Sequence, residues 1–387
     1  MPAYSLISSP INIPLSLYIH IPWCVRKCPY CDFNSHVSGD NIPESAYVDA
    51  LIEDLSHEAA RTLQRPLTSI FFGGGTPSLF SAVAIARILK AVQTQLAFAP
   101  EIEITLEANP GTTEHMDFTA LRATGVNRLS LGVQSFNDQH LQQLGRIHSS
   151  NDAQNAFEKA RIAGFNNINI DLMHGLPQQT TEQALDDLSI ATALNPEHLS
   201  WYQLTIEPNT VFFNQPPALP LEDELSDIQD AGEQWLAQHG YQQYEVSAYA
   251  RTNHRAQHNL NYWQFGDYIG IGAGAHGKIT HANGDIERYR KTRLPADYLN
   301  PNKTKTAGTE RVEAKRLPLE FLMNALRLPE GVSYDIFEAR TGLAREQLKN
   351  NVEALQAQDL LIPSTTQLAT TALGFRFLNT VLNSFSE

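Results

Sequence analysis

The stretch Ser16–Ser35, SLYIHIPWCVRKCPYCDFNS, decides the fold. Its first residues, Ser16–Pro22, are mostly apolar and β-prone and read as a strand. Directly after it come Cys24, Cys28 and Cys31, the only cysteines in the chain, spaced Cys-x-x-x-Cys-x-x-Cys. Thiolates bind iron and zinc strongly, so three on one loop read as a metal site. A cubane iron–sulfur cluster usually takes four cysteine ligands. With three, one iron keeps an open position that can hold a small chelating molecule and pass it an electron. The alternative is a structural zinc with His36 or His20 as fourth ligand. Zinc sites more often show paired Cys-x-x-Cys knuckles, and the sequence has no second pair.

Working outward, the strand pattern recurs at Ser69–Phe72, Glu101–Ala108, Arg128–Gln134, Asn167–Met173 and His198–Ile206. Helical spacing fills 44–64, 80–97, 113–124 and 181–194, with two helical pieces leading to Gly164. Strands alternating with helices imply a parallel α/β architecture. Six such units without a dinucleotide-type glycine signature favour a partial (β/α)6 barrel over a Rossmann sheet. The barrel is expected over 1–220 and an extension over 221–299. That extension holds an apparent strand Gln243–Ala248, the segment HNLNYW at His258–Trp263, and IGIGAGAHG at Ile269–Gly277. A polar stretch, 300–315, reads as a linker, and 316–387 as a mostly helical, winged-helix-like domain.

In a parallel barrel, chemistry gathers where strands deliver their C-terminal ends. The cysteines follow the first strand, Gly73-Gly74-Gly75-Thr76-Pro77 the second, and Glu107, Gln134 and Asp171 mark the next three. Each has a plainer reading. The glycines suit close backbone approach to a ligand, or only a tight turn; Thr76 and Pro77 could simply cap and open a helix. Glu107 could hold a cationic amine or a ribose hydroxyl, or pair with an arginine. Asp171 could bind ribose or make a structural hydrogen bond. Arg146 could grip a carboxylate in fork fashion, or sit alone on the surface. His258 could ligate a metal, including haem iron, or stack on a flat ligand, but a packed core histidine is commoner. His276 carries the same ambiguity.

Composition narrows the setting. Apolar residues at 42% are enough for a sizeable core, and a formal charge of −14 argues against general affinity for nucleic acid or anionic lipid. The first 25 residues carry no Lys or Arg, so no signal or transit peptide is expected. No apolar run is long enough to span a bilayer. Clustered thiols with none left for disulfides suit a reducing, cytoplasmic location.

Cys24-x-x-x-Cys28-x-Tyr30-Cys31 resembles the signature of radical S-adenosylmethionine enzymes. YIHIPWCVRKCPYCDFNS, FFGGGTPS, LEANP, LGVQSF and NIDLMHGLP, in that order, resemble the oxygen-independent coproporphyrinogen III oxidase family, and the likeness covers nearly the whole chain. The resemblance implies a [4Fe–4S] cluster on Cys24, Cys28 and Cys31, with S-adenosylmethionine on the fourth iron. Tyr18, Tyr30, Gly74, Gly75, Thr76 and Glu107 match cofactor-binding positions. Gln134, Arg146 and Asp171 match positions that contact a second S-adenosylmethionine in the oxidase. An electron from the cluster would cleave the sulfonium to a 5′-deoxyadenosyl radical.

The sequence departs from the oxidase where that branch has a fourth cysteine, two residues after the third: here stands Phe33. The oxidase's longer N-terminal segment is also missing. HNLNYW instead resembles the haem-binding motif of the HemW branch, haem chaperones related to that oxidase. This implies haem as cargo with His258 in contact, respiratory haem proteins as recipients, and transient docking to a membrane-bound recipient. Radical decarboxylation of coproporphyrinogen III is the second reading, and a zinc-stabilised interaction module the third. The C-terminal bundle is expected to pack on the barrel rather than bind the recipient.

Overall fold

A computed structural model describes residues 12–39, 41–112 and 116–386. Part of the expected 113–124 helix, and of the first 25 residues read for a signal peptide, therefore lies outside the described residues.

Strand β1, Leu15–Ile21, is buried except for a partly exposed Tyr18. Alternation sends Leu15, Leu17, Ile19 and Ile21 into the main hydrophobic core. Ser16, Tyr18 and His20 point to the opposite face. In chain order there follow α1 (Glu44–Ala59), β2 (Leu67–Gly74), α2 (Ala82–Gln95), β3 (Phe98–Ala108), α3 (Phe118–Ala123) and β4 (Arg128–Gln134). Then come α4 (Asp138–Gln143), α5 (Ser150–Ile162), β5 (Ile168–His174), α6 (Thr181–Ala193), β6 (His198–Gln203) and α7 (Glu222–Gln238). Strands β1 to β6 pair in parallel, each with the next. This is the pattern that short strands joined by helical crossovers produce.

The extension continues the same sheet on both sides. The segment 243–248 is not one strand: β7 (Gln242–Glu245) turns into β8 (Ala248–Ala250), which pairs antiparallel with β6. HNLNYW lies within helix α8, Gln257–Trp263. Strand β9 (Asp267–Ile271) joins β1 in parallel, and β10 (His276–Thr280), β11 (Ile286–Lys291) and β12 (Thr306–Arg311) follow as an antiparallel meander. The sheet order is β12-β11-β10-β9-β1-β2-β3-β4-β5-β6-β8-β7, so the barrel is open. The polar residues read as a linker thus contain an edge strand, whose Thr-rich, exposed sequence resembles a loop because one flank faces solvent.

Beyond it, α9 (Leu317–Ala325), α10 (Tyr334–Thr341) and α11 (Lys349–Ala357) surround a second core with Phe321 and Phe337 at its centre. A two-residue ribbon, Val332–Ser333 against Gln367–Leu368, completes the winged-helix-like unit. It packs on the extension through Phe265 and Ile286, which belong to the same core.

Candidate functional site

The cysteine loop is closed at its base, where Trp23–Cys24 pairs with His36–Val37. His36 N–H donates to the Pro22 carbonyl (2.7 Å) and Ser38 N–H to the Cys24 carbonyl (2.8 Å). The glycine turn docks beneath it: Gly75 N–H donates to the Ile21 carbonyl and Thr76 N–H to the Trp23 carbonyl, both at 2.7 Å. Gly74 has φ +111°, and a Cβ there would stand 2.4 Å from the His20 ring, so only glycine fits. Thr76 does not cap the following turn; Ser81 caps α2 instead, accepting from Ala84 N–H. Half of the plainer reading holds: Pro77 opens the short turn Pro77–Leu79, while the Thr76 hydroxyl makes no capping bond to it.

Strand register brings the other residues to the same face. Glu107 pairs with Ser130, Gly132 with Asp171, and Asp171 with Ser200. A cavity of about 450 Å³ opens there, lined by Cys24, Cys28, Cys31, Glu107, Arg146 and Asp171. Tyr30, Gly74, Gly75, Thr76 and Gln134 also line it. Gln134 sits at a bulge with φ +74°, strain that only a fixed surrounding sustains. Arg146 is not a surface residue: it donates to the Gly132 carbonyl (2.6 Å), and its Nη1 lies 3.7 Å from Cys28 Sγ.

Two buried carboxyl groups stand in its wall. Burial, then the neighbouring Asp171, raises the Glu107 carboxyl to about 8, against one backbone donor, Gly74 N–H at 3.2 Å. Burial likewise raises Asp171, whose oxygens accept from Ser130 Oγ and Asn169 Nδ2, both at 2.8 Å. Burial also raises the Cys24 and Cys31 thiols. All three cysteines are free of disulfides.

Tyr18 lines a second, larger cavity of about 760 Å³. Asp32, Phe33, Gly74 and Glu107 line both. Its other walls come from Tyr262, Trp263 and Tyr268 and from the β10–β11 ribbon. His258 lies outside both lining sets. It is 1% exposed, its Nδ1 bonded to Ser69 Oγ (2.9 Å) and its Nε2 to Tyr262 OH (2.8 Å). Burial and Arg128 hold the ring neutral, with a pKa of about 3. In this arrangement His258 is a packed histidine that holds Tyr262.

Comparison with known proteins places this geometry in a family. A family model described as the Radical SAM superfamily matches residues 18–189, and one described as the HemN C-terminal domain matches 312–377. A protein of Haemophilus influenzae named "Heme chaperone HemW" is 50% identical over 96% of the chain and 98% of its own length. The chain belongs to the HemW family. Another relative of that name, from Escherichia coli, is 49% identical over 96% of the chain and 98% of its own. The solved structure titled "Coproporphyrinogen III oxidase (HemN) from Escherichia coli is a Radical SAM enzyme" superposes with a TM-score of 0.80. It shares 24% identity, with 97% of this chain and 90% of that chain covered, a likeness of fold.

Membership of the HemW family, within the radical SAM superfamily, implies a [4Fe–4S] cluster and S-adenosylmethionine. The residues present suit them. Cys24, Cys28 and Cys31 are three thiols free of disulfides, and all three line the same cavity beside Gly74 and Gly75. A cubane would take each cysteine on a different iron and keep its fourth iron open. His20 is engaged at both nitrogens, by Tyr18 OH (3.0 Å) and the Asn34 carbonyl (2.9 Å). Sequence reading missed Ser130, Asn169 and Tyr202, as well as the arginines of β11; the run IERYRKTR, with Arg288 and Arg290 two apart, was the available signal for the last.

Proposed function

We propose that the protein is a haem chaperone. It holds a [4Fe–4S] cluster on Cys24, Cys28 and Cys31, keeps S-adenosylmethionine beside it, and passes haem to a recipient haem protein. The observation that supports this is the pair of adjoining cavities, one beside the cysteine loop and one large and aromatic-walled, sharing Gly74 and Glu107. When bound, the cluster and S-adenosylmethionine would supply one-electron chemistry. Glu107 would meet the positive charge of the cofactor, Asp171 its ribose or that of a second molecule, and Arg146 a carboxylate; Tyr18, Tyr30, Thr76 and Gln134 would complete the wall.

Recipients are proposed to be respiratory haem proteins, met by transient docking from the cytoplasm; among the described residues no helix is long and apolar enough to cross a membrane. Anaerobically purified protein is expected to be brown, to carry about four irons per chain, and to shift the Soret band of added haem. Colourless protein loaded with zinc, without a saturable Soret change, would overturn the reading. Turnover of coproporphyrinogen III with consumption of S-adenosylmethionine would replace it with the oxidase.

A further inference from the structure

Beneath the cavity beside the cysteine loop, the barrel holds a charge that the fold leaves unpaired. Arg128 opens β4 and is 2% exposed. Alternation puts it on the same face as Ser130 and Gly132, which line that cavity, so its side chain enters the barrel. The other cations buried to this degree, Arg65, Lys278 and Lys291, each meet a buried carboxylate at 2.8 Å or less. Arg128 makes no hydrogen bond or ion pair among the described residues, and its Nε is left without a partner. Thr105, opposite it in register on β3, leaves its hydroxyl unmatched as well. Burying an unpaired guanidinium is costly, so a balancing charge is called for.

Two carboxyls stand above it. Glu107 lies two residues beyond Thr105 on β3, about 7 Å up the barrel, and Asp171 lies opposite Gly132 on β5. Burial raises both carboxyls, and Asp171 raises Glu107 further; Arg128 draws both back down. The other titratable groups on this interior carry no cation. Burial and Arg128 hold His198 and His258 neutral, and burial keeps Tyr18, Tyr202 and Tyr244 protonated. Glu103 accepts from the N–H groups of Gln257 (3.0 Å) and His258 (3.1 Å). S-adenosylmethionine would bring a sulfonium and an ammonium to the same two carboxyls, so guanidinium and ligand have one task at different times.

Resting on the cofactor reading of this cavity, we propose that Arg128 is a positioning residue that stands in for the cationic ligand. It balances Glu107 and Asp171 while the cavity is empty, and the arriving cation takes over that role. Arg128 itself touches no ligand. By making the empty carboxylates less costly, it also lessens their pull on an entering cation.

The test compares the full-length, cluster-bearing native chain with Arg128→Met, Arg128→Gln and Arg128→Lys under anaerobic conditions. Infrared spectra of the protonated-carboxyl stretch, with Glu107→Gln as the blank, follow ionisation across a pH series without S-adenosylmethionine. Calorimetry follows S-adenosylmethionine affinity over the same series. In the native chain both should break near pH 8. A charge about 7 Å away, at an effective dielectric constant of about 20, is worth on the order of one to two pH units. The break should move up by that much in the Met and Gln variants and stay in place in Arg128→Lys. Well below the break, affinity should change little, because the free carboxyl and the bound ion pair are both neutral overall. Above it, the neutral variants should bind about tenfold tighter or more, since no resident cation competes. An arginine that only supports the fold would lower affinity at every pH and leave the break unmoved. A break at the native position in both neutral variants overturns the proposal. If the native chain binds no S-adenosylmethionine, the cofactor reading fails, and the infrared titration alone decides whether Arg128 balances the carboxyls.

Discussion

At the scale of single residues, the site is governed by one awkward carboxyl. Glu107 rises from 4.5 to about 8, so the folded, ligand-free chain binds this proton more tightly than the unfolded chain does. Its stabilising contribution is therefore complete below pH 4.5 and is lost as the pH rises through 8. Glu107→Gln should make the ligand-free protein more stable than the native chain above pH 8, by on the order of 2–4 kcal/mol, and change little at pH 4. Denaturant melts across that range would show it, and parallel curves for the two proteins would refute the assignment. A cationic ligand reverses the balance by favouring the carboxylate. Affinity for S-adenosylmethionine should then climb by up to about tenfold per pH unit below 8 and flatten above it, and Glu107→Gln should bind weakly with no such slope. Gly74 offers a steric counterpart. Gly74→Ala would drive a methyl into the His20 ring and break the link from Tyr18 to Asn34. A loss of about 1–3 kcal/mol and poor retention of iron are expected, read by denaturant melts and an iron assay.

At the scale of elements, the ribbon β9–β11 is pinned to the barrel by buried ion pairs. Lys291 Nζ reaches Asp54 (2.6 Å) and Glu58 (2.7 Å) on α1, and Asp267 on β9 joins Arg65 (2.8 Å) and Lys278 (2.7 Å). Removing one partner strands a buried charge, at a cost of about 3–5 kcal/mol. Lys291→Met should destabilise by that much, and adding Asp54→Asn and Glu58→Gln to it should recover most of the loss. If the triple variant were no more stable than the single one, packing rather than charge would hold the ribbon. The links from Lys291 to α1 and from Asp267 to Arg65 were not visible in the sequence, because they meet across more than 200 positions. The barrel strands were legible for the opposite reason: continuous apolar runs bounded by helical spacing need no partner to be recognised. So were the residues at their ends, since a parallel barrel delivers its strand termini to one rim. The turn at Val246–Ser247 was missed because QYEVSA alternates like one strand, and β12 because its outer edge is polar. The second cavity was missed because His276 and Arg290 become neighbours only through the register of β10 against β11.

At the scale of the whole molecule, the two cavities share a wall, and the C-terminal unit fixes the far side of the larger one. Arg288 is tied to Glu320 on α9, and the Arg327 guanidinium covers the Trp263 ring at 4.4 Å. The shared wall contains Phe33, which is 60% exposed and lines both cavities. A ligand in either cavity removes freedom from that ring, so the second ligand has less ordering left to impose. Binding should therefore be positively coupled: S-adenosylmethionine should tighten haem binding by about fivefold or more, and linkage requires haem to tighten S-adenosylmethionine binding by the same factor. Calorimetric titration of each ligand with and without the other measures both factors. Phe33→Ala should bring both toward one while leaving the cysteine loop in place. Unequal factors would signal an incomplete equilibrium, and factors of one in the native chain would make the two cavities independent, leaving the cluster as a neighbour of the cargo rather than a control on its release.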